Sequence, residues 1–399
     1  MEHFVIVGGG TAAHQAARSI VEMRVDARVS IVRSERQTPY SRPHLSKAFL
    51  TDRVEPMYLS GADMYGDPRV TTLDGANVVD IDRHNARASL ECGRDVPYDK
   101  LIIATGSRVR RLPESIAQEP VHYLRTLEDA ISLRSRLADG SDVVVIGGGF
   151  IGLEVAAAAR QRNCKVTVLE AQPNLLARTG CPTLSEWIFN LHVSRGVAIL
   201  PGTQVERISR TASGKVVLDT SEGKMTADIV IVGIGVVPND ELARRCGLDV
   251  ENGIVVDPRC ATQDPNIFAA GEVTRYPVAH LGIHTRSESW MAASEQGTVA
   301  GRASAGDASA EYAEMPWLWS DQFGSNIQCL GFPEIASKRT LLGDSASNQW
   351  VLLGWDEKDR LVNAIAANSG RDISAIKRAI KRGTPLPSQY TSAMPVAAL

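Results

Sequence analysis

Residues 143–152 read VVVIGGGFIG, and residues 4–13 read FVIVGGGTAA. In both, a short run of apolar, largely β-branched residues meets three glycines and then small residues. That is the order of a buried strand, a tight turn and a helix packed closely on a sheet. Each is followed by a second apolar run, VSIV at residues 29–32 and KVTVL at residues 165–169. The chain therefore carries a β-α-β pattern twice. The spacings Gly8-x-Gly10-x-x-Ala13 and Gly147-x-Gly149-x-x-Gly152 give the pattern a chemical meaning. The first glycine permits the turn, and the second lets backbone approach a pyrophosphate. The third small residue lets helix and strand touch, and the helix N-terminus offers partial positive charge to phosphates. A single match of this kind is weak. Two in one chain, each with a strand before, a helix after and an acid about 20 residues on, point to two dinucleotide sites.

Further repeats set the domain plan. LIIATG at 101–106 and IVIVGIG at 229–235 are buried-looking strands ending in small residues, one downstream of each glycine unit. Each leads into a proline-containing segment, RRLP at 110–113 and VVP at 236–238, as domain crossings do. IFAAGE at 267–272 is a third such run. Past about residue 313 the pattern changes to Trp317 and Trp319, apolar runs at 350–353 and 361–364, and a helix over 372–381. The expected fold class is α/β, with two Rossmann-like dinucleotide-binding domains and a C-terminal α+β domain. The boundaries expected are 1–110 with 239–314 for the first, 111–238 for the second and 315–399 for the third.

Composition narrows the class. The chain has 399 residues, 44% hydrophobic and 22% charged, ordinary for a globular protein. Its 43 Lys and Arg against 46 Asp and Glu give a net charge of −3, which argues against a general nucleic-acid binder. No run approaches the 18 or so apolar residues of a membrane span. The N-terminal Met-Glu-His-Phe enters a strand without a basic or cleavable segment, so a cytoplasmic protein with no membrane partner is expected. Six cysteines, at 92, 164, 181, 246, 260 and 329, form no CxxC pair and fit structural thiols in a reducing compartment. The eight histidines do not join them in a metal-ligand pattern, and no metal is expected.

The acids distribute the nucleotides. Glu170 ends the second strand of the second unit, where a carboxylate accepts both adenosine ribose hydroxyls and repels a 2′-phosphate. No Lys or Arg stands between it and Arg178, which favours NADH over NADPH. In the first unit the corresponding strand ends Arg33-Ser34-Glu35-Arg36, with Glu35 the carboxylate available to a ribose. Two dinucleotide sites in one chain imply transfer between two carriers, commonly FAD and a nicotinamide.

Residues 39–47, PYSRPHLSK, resemble the signature of FAD-containing, NADH-dependent ferredoxin reductases of bacterial oxygenase systems. This branch of the pyridine nucleotide-disulfide oxidoreductases includes the reductases of putidaredoxin and of aromatic-ring dioxygenases. Apoptosis-inducing factor is a structural relative. The resemblance extends through both fingerprints, ATG at 104–106, YLRT at 123–126, GEV at 271–273, Arg286-x-Glu288-x-Trp290 and Trp317-x-Trp319-Ser320-Asp321-Gln322, nearly the whole chain.

What the resemblance implies is an electron path from NADH through FAD to a [2Fe–2S] ferredoxin, and from there to a terminal oxygenase in aromatic hydrocarbon catabolism. It implies FAD contacts at Gly8, Gly10, Thr11, Ala12 and Ala13, at Arg42, Lys47 and Val78, at Ala104, Thr105, Gly106 and Arg125, and at Gly271, Glu272 and Trp290. Trp319 would lie against the flavin. NADH would meet Gly147, Gly149, Phe150, Ile151 and Gly152, with Glu170, Arg178 and Gly235. Glu154 would sit near the nicotinamide and pair with Lys47 close to flavin N5; these two are the catalytic candidates. The family has an acid where Ser34 stands, which moves the ribose contact to Glu35, and Asp where Glu272 stands.

The absence of a cysteine from residues 39–47 argues against thiol relay to a disulfide and for electrons leaving the flavin edge. Two basic clusters, Arg108, Arg110 and Arg111, and Lys377, Arg378, Lys381 and Arg382, are either solvated faces or docking surfaces for an acidic ferredoxin. Other acceptors, rubredoxin or oxygen, and an NADH-sensing interaction protein stay open at this level. So does the choice between a monomer and a homodimer.

Overall fold

The computed structural model describes residues 1–52, 54–59, 61–211, 214–279, 281–386, 390 and 395–396. His280 and the C-terminal residues beyond 396 lie outside them. The chain divides into two compact units, Met1–Ser41 with Met57–Arg108 and Val237–Trp317, and Arg42–Pro56 with Val109–Val236 and Leu318–Leu399.

In the first unit a five-stranded parallel sheet runs in the order Ile267–Ala269, Lys100–Ile103, His3–Val7, Arg28–Arg33, Val70–Asp74. Phe4, Val5, Ile6, Leu101, Ile102 and Ile103 have no exposed surface, as central parallel strands covered on both faces require. The helix Thr11–Met23 follows the first glycine turn and packs against the helix Trp290–Ser304. Their seam is made of small residues. A Cβ on Gly297 would stand 2.4 Å from the Ala12 carbonyl oxygen, and one on Gly301 2.5 Å from that of Ala16. A three-stranded antiparallel sheet, Val78–Asp82, Arg87–Leu90 and Asp95–Pro97, completes this unit with the short pairs around Thr274–Val278.

The second unit repeats the theme with a four-stranded parallel sheet in the order Val197–Pro201, Lys165–Glu170, Asp142–Ile146, Ile229–Val232. The helix Phe150–Gln161 lies on its two middle strands. A six-stranded, mainly antiparallel sheet formed by residues after 316, with the helix Gly370–Arg382, is the expected α+β part. Both parts of this unit draw on one core. Leu133, Val145, Leu153, Val168, Leu184 and Ile188 pack in the same cluster as Ile327, Trp350, Leu352 and Ile365. Among the described residues no helix is long and apolar enough to cross a membrane.

Candidate functional site

The two glycine turns share one construction. Gly8 has φ +141°, and a Cβ there would fall 2.1 Å from the Ala104 carbonyl oxygen; Gly147 has φ +109°, and its Cβ would fall 2.5 Å from that of Gly233. Both positions admit glycine because the neighbouring strand end occupies the space. Gly10 and Gly149 are different: a Cβ on either meets nothing within 4 Å. These two are the N-caps of the helices Thr11–Met23 and Phe150–Gln161, neither of which has a side-chain cap or an acid in its first turn. Elsewhere in the chain Thr126 and Asp129 form a capping box on the helix Leu127–Arg136. Open space before an uncapped N-terminus, whose first-turn amides no side chain among the described residues pairs, is what a pyrophosphate fits. On this test both cradles suit a dinucleotide.

Around the first cradle, Ala12 and Ala13 are buried, Ala12 in the helix seam. Glu35 is half-buried and accepts the Tyr40 hydroxyl at 2.5 Å, whereas Ser34 is exposed. The Arg33 guanidinium, flanking them in sequence, turns to Asp74 at 2.6 Å. Thr105 donates its hydroxyl to the Asn239 carbonyl at 2.8 Å, and the Asn239 amide returns a bond to the Thr105 carbonyl. Gly271, at φ +88°, donates its N–H to the buried Gln296 side chain at 2.8 Å. Glu272 accepts the Ser107 hydroxyl. Val78 opens its strand half-buried, and Trp290 occupies the first turn of its helix behind the N-cap Ser289.

In the second unit, Glu170 reaches back over its own turn. One carboxylate oxygen accepts the Gly148 N–H at 2.6 Å and the other the Gln172 N–H at 2.7 Å. Gly152 packs helix on strand, since its Cβ would stand 2.1 Å from the Gly147 carbonyl oxygen. Ile151 leaves 47% of its surface exposed beside this cradle. Arg178, in the turn Ala177–Thr179, has a guanidinium nitrogen 4.0 Å from where a Cβ on Gly235 would lie, so these two candidates are neighbours. Arg42 donates to the Arg125 carbonyl at 2.7 Å. Trp319 is half-buried on the strand Trp317–Gln322.

A buried ion pair lies on the helix Phe150–Gln161. Glu154 is 3% exposed in an otherwise alanine-rich, buried stretch. A lone buried carboxylate is costly, so it must be paired and hydrogen-bonded. Lys47 Nζ lies 2.6 Å from one of its oxygens, Ser320 Oγ donates to the same oxygen at 2.5 Å, and Ser46 Oγ donates to the other. The lysine side chain keeps 18% exposure. Its ammonium is therefore fixed by a buried anion while its outer side stays reachable, a suitable point charge beside a reacting group. Lys47 and Glu154, 107 positions apart in sequence, are thus brought together.

Four participants escaped the sequence reading. Ser46, Ser320 and Gln322 stood inside motifs without a role, and His192 stood among histidines set aside. Gln322 Nε2 donates to Ser320 Oγ at 2.9 Å, and His192 Nε2 lies 2.7 Å from Gln322 Oε1. His192 is wholly buried, and burial pulls its pKa down to about 4. One signal was available: Leu184, Ile188 and His192 fall at four-residue steps on the helix Pro182–Ser194, so the periodicity marks His192 as a core position held by a polar ring.

Comparison with known proteins was consistent along the chain. Residues 2–297 match the family model described as pyridine nucleotide-disulphide oxidoreductase, and residues 317–394 match a reductase C-terminal domain. The chain is 44% identical to the anthranilate 1,2-dioxygenase system ferredoxin–NAD(+) reductase component of Burkholderia cepacia, over 97% of this chain and 96% of the relative. It is 35% identical to the 3-phenylpropionate/cinnamic acid dioxygenase ferredoxin–NAD(+) reductase component of Photorhabdus laumondii, over 98% of each. Among solved structures it resembles the reductase in the covalent putidaredoxin reductase–putidaredoxin complex, with a TM-score of 0.90, 33% identity, and 95% and 93% of the two chains covered.

Proposed function

The chain belongs to the pyridine nucleotide-disulphide oxidoreductase family, and on that premise we propose that it is the reductase of a multicomponent dioxygenase system, passing electrons from NADH through FAD to a [2Fe–2S] ferredoxin. The family uses FAD and NAD(H), and both cradles fit a dinucleotide. The observation that carries the reading is the Lys47–Glu154 ion pair, buried on the helix that begins at the second cradle. Bound FAD supplies a ring that accepts two electrons as a hydride and releases them singly, which a one-electron acceptor requires. The chain's own residues do the rest. Gly147, Gly149 and Gly152 shape the NADH cradle, and Glu170 selects the unphosphorylated adenosine ribose. Gly8, Gly10 and Glu35 serve the flavin nucleotide. Lys47 offers positive charge where negative charge arrives with the hydride, and Glu154 keeps that ammonium in place.

The ferredoxin is expected to dock by charge, on the helix Gly370–Arg382, where Arg378 and Arg382 are exposed. At the other cluster Arg108 is engaged with Glu241 at 2.5 Å, and Arg111 lies over the Tyr123 ring. A cytoplasmic setting, with a terminal oxygenase downstream of the ferredoxin, belongs to the same proposal.

The test is direct. The purified holoprotein should be yellow and should reduce cytochrome c with NADH only when a [2Fe–2S] ferredoxin is added. Lys47→Met should slow anaerobic flavin reduction by NADH by about 10²-fold or more, the scale of losing a charge-stabilising group. Reduction of that variant at the wild-type rate would remove the role assigned to Lys47.

A further inference from the structure

The polar contacts of Glu154 do not stop at its own shell. A chain of hydrogen bonds runs from it through Ser320 and Gln322 to His192, at 2.5, 2.9 and 2.7 Å. It joins the helix Phe150–Gln161, the strand Trp317–Gln322 and the helix Pro182–Ser194, and all four side chains are buried.

The direction of every proton in this chain follows from its two ends. Glu154, paired with the Lys47 ammonium, is an ionised acceptor, so Ser320 must spend its single hydroxyl proton on it. Ser320 Oγ is then an acceptor toward residue 322, which requires the Gln322 NH₂ on that side and the Gln322 carbonyl oxygen on the other. That oxygen demands a donor from His192, so His192 carries its proton on Nε2. Nδ1, buried and without a hydrogen-bond partner among the described residues, is the bare nitrogen. All three donors therefore point toward Glu154, and aligned bonds of this kind reinforce one another at the anion they face. Glu154 faces the Lys47 ammonium and the hydroxyls of Ser46 and Ser320; His192 faces the Gln322 amide and the edge of the Phe323 ring, with Arg195 over that ring.

We propose that His192, Gln322 and Ser320 form a one-directional positioning relay that holds the Glu154 carboxylate in its orientation, and through it the Lys47 ammonium. The proposal rests on the role given to Lys47 above. None of the three touches NADH or flavin in this scheme; they act through Glu154. The relay fixes the rate of hydride transfer while leaving NADH binding unchanged, because the adenosine and pyrophosphate contacts lie elsewhere.

Stopped-flow reduction of the holoprotein by NADH, under anaerobic conditions, separates the limiting reduction rate from the Kd for NADH. Gln322→Leu and His192→Leu, which cut the relay, should lower the rate about three- to tenfold with the Kd held within about twofold, the effect of one neutral hydrogen bond. His192→Gln, whose amide nitrogen replaces the Nε2 donor, should restore the rate to within about twofold of wild type. In the unmodified holoprotein, ¹⁵N-histidine spectra should show His192 neutral with the proton on Nε2. The spectrum needs no variant, so the proposal stays exposed even where a substitution prevents folding. A proton on Nδ1, or wild-type rates in both leucine variants, overturns the relay. If Lys47→Met is slow while the leucine variants are not, the relay alone falls; if Lys47→Met is itself unimpaired, the parent reading falls.

Discussion

His192 shows how a single buried ring ties stability to pH. Its ordinary pKa of 6.5 applies in the unfolded chain, and burial lowers it to about 4 in the folded one. Between these values the unfolded chain binds a proton that the folded chain refuses. The associated stability is complete above about pH 6.5 and is lost as the pH falls toward 4, at most about 3 kcal/mol. His192→Gln has no such titration. The difference in unfolding free energy between wild type and this variant, from urea titrations followed by tryptophan fluorescence, should shrink by up to that amount between pH 7 and 4. A difference constant with pH would mean that the ring titrates normally. Nothing in the sequence around His192 announces this role. Helical spacing puts it in the core, but its partner Gln322 is 130 positions away, and only the folded chain brings the two together.

At the scale of elements, the two strand–turn–helix units were legible because their chemistry is local. A β-branched run, a glycine with positive φ and a small-residue helix each depend on neighbours within about a turn of one another. What the spacing cannot separate is which glycine yields to packing and which to a ligand. Gly147 lies against the backbone of Gly233, whereas Gly149 opens on empty space. The same substitution at the two should therefore act on different quantities. Gly147→Ala forces a Cβ into a carbonyl at φ +109° and should cost about 2–4 kcal/mol of stability. Gly149→Ala should cost under about 1 kcal/mol while weakening NADH about tenfold, because its methyl fills the phosphate approach. Thermal unfolding and NADH titration of the pair check this; equal loss of stability in both would show that the space at Gly149 is structural. The Lys47–Glu154 pair lies beyond such local logic. Family motifs bring its two halves to notice, but the buried hydroxyls that make the carboxylate tolerable, Ser46 and Ser320, come from a loop and a strand far apart in sequence.

At the scale of the molecule, the second unit carries the second glycine cradle in one part and a reductase C-terminal sheet in another, and the two meet in one core. Trp350 is 1% exposed and stands edge-on to Trp187 at 6.2 Å, while Trp187 donates its indole N–H to the Ser347 carbonyl. Among the described residues the Trp350 indole nitrogen has no hydrogen-bond partner, so its hold on the core is apolar. Trp350→Phe then loses no hydrogen bond and sheds an unsatisfied donor, which offsets part of the lost volume; a cost of about 1 kcal/mol is expected. Trp350→Ala opens a cavity between the sheet and the helix Pro182–Ser194 and should cost about 3–5 kcal/mol. If this core is cooperative, the loss is shared. Hydrogen exchange should accelerate together in the strands Asp142–Ile146, Lys165–Glu170 and Leu361–Ala367, while His3–Val7 and Arg28–Arg33 in the first unit keep their protection. Acceleration confined to Leu361–Ala367 would mean that the C-terminal sheet opens alone. The relay from His192 to Glu154 would then cross between two independently opening parts, and hydride transfer would fall with every excursion of that sheet.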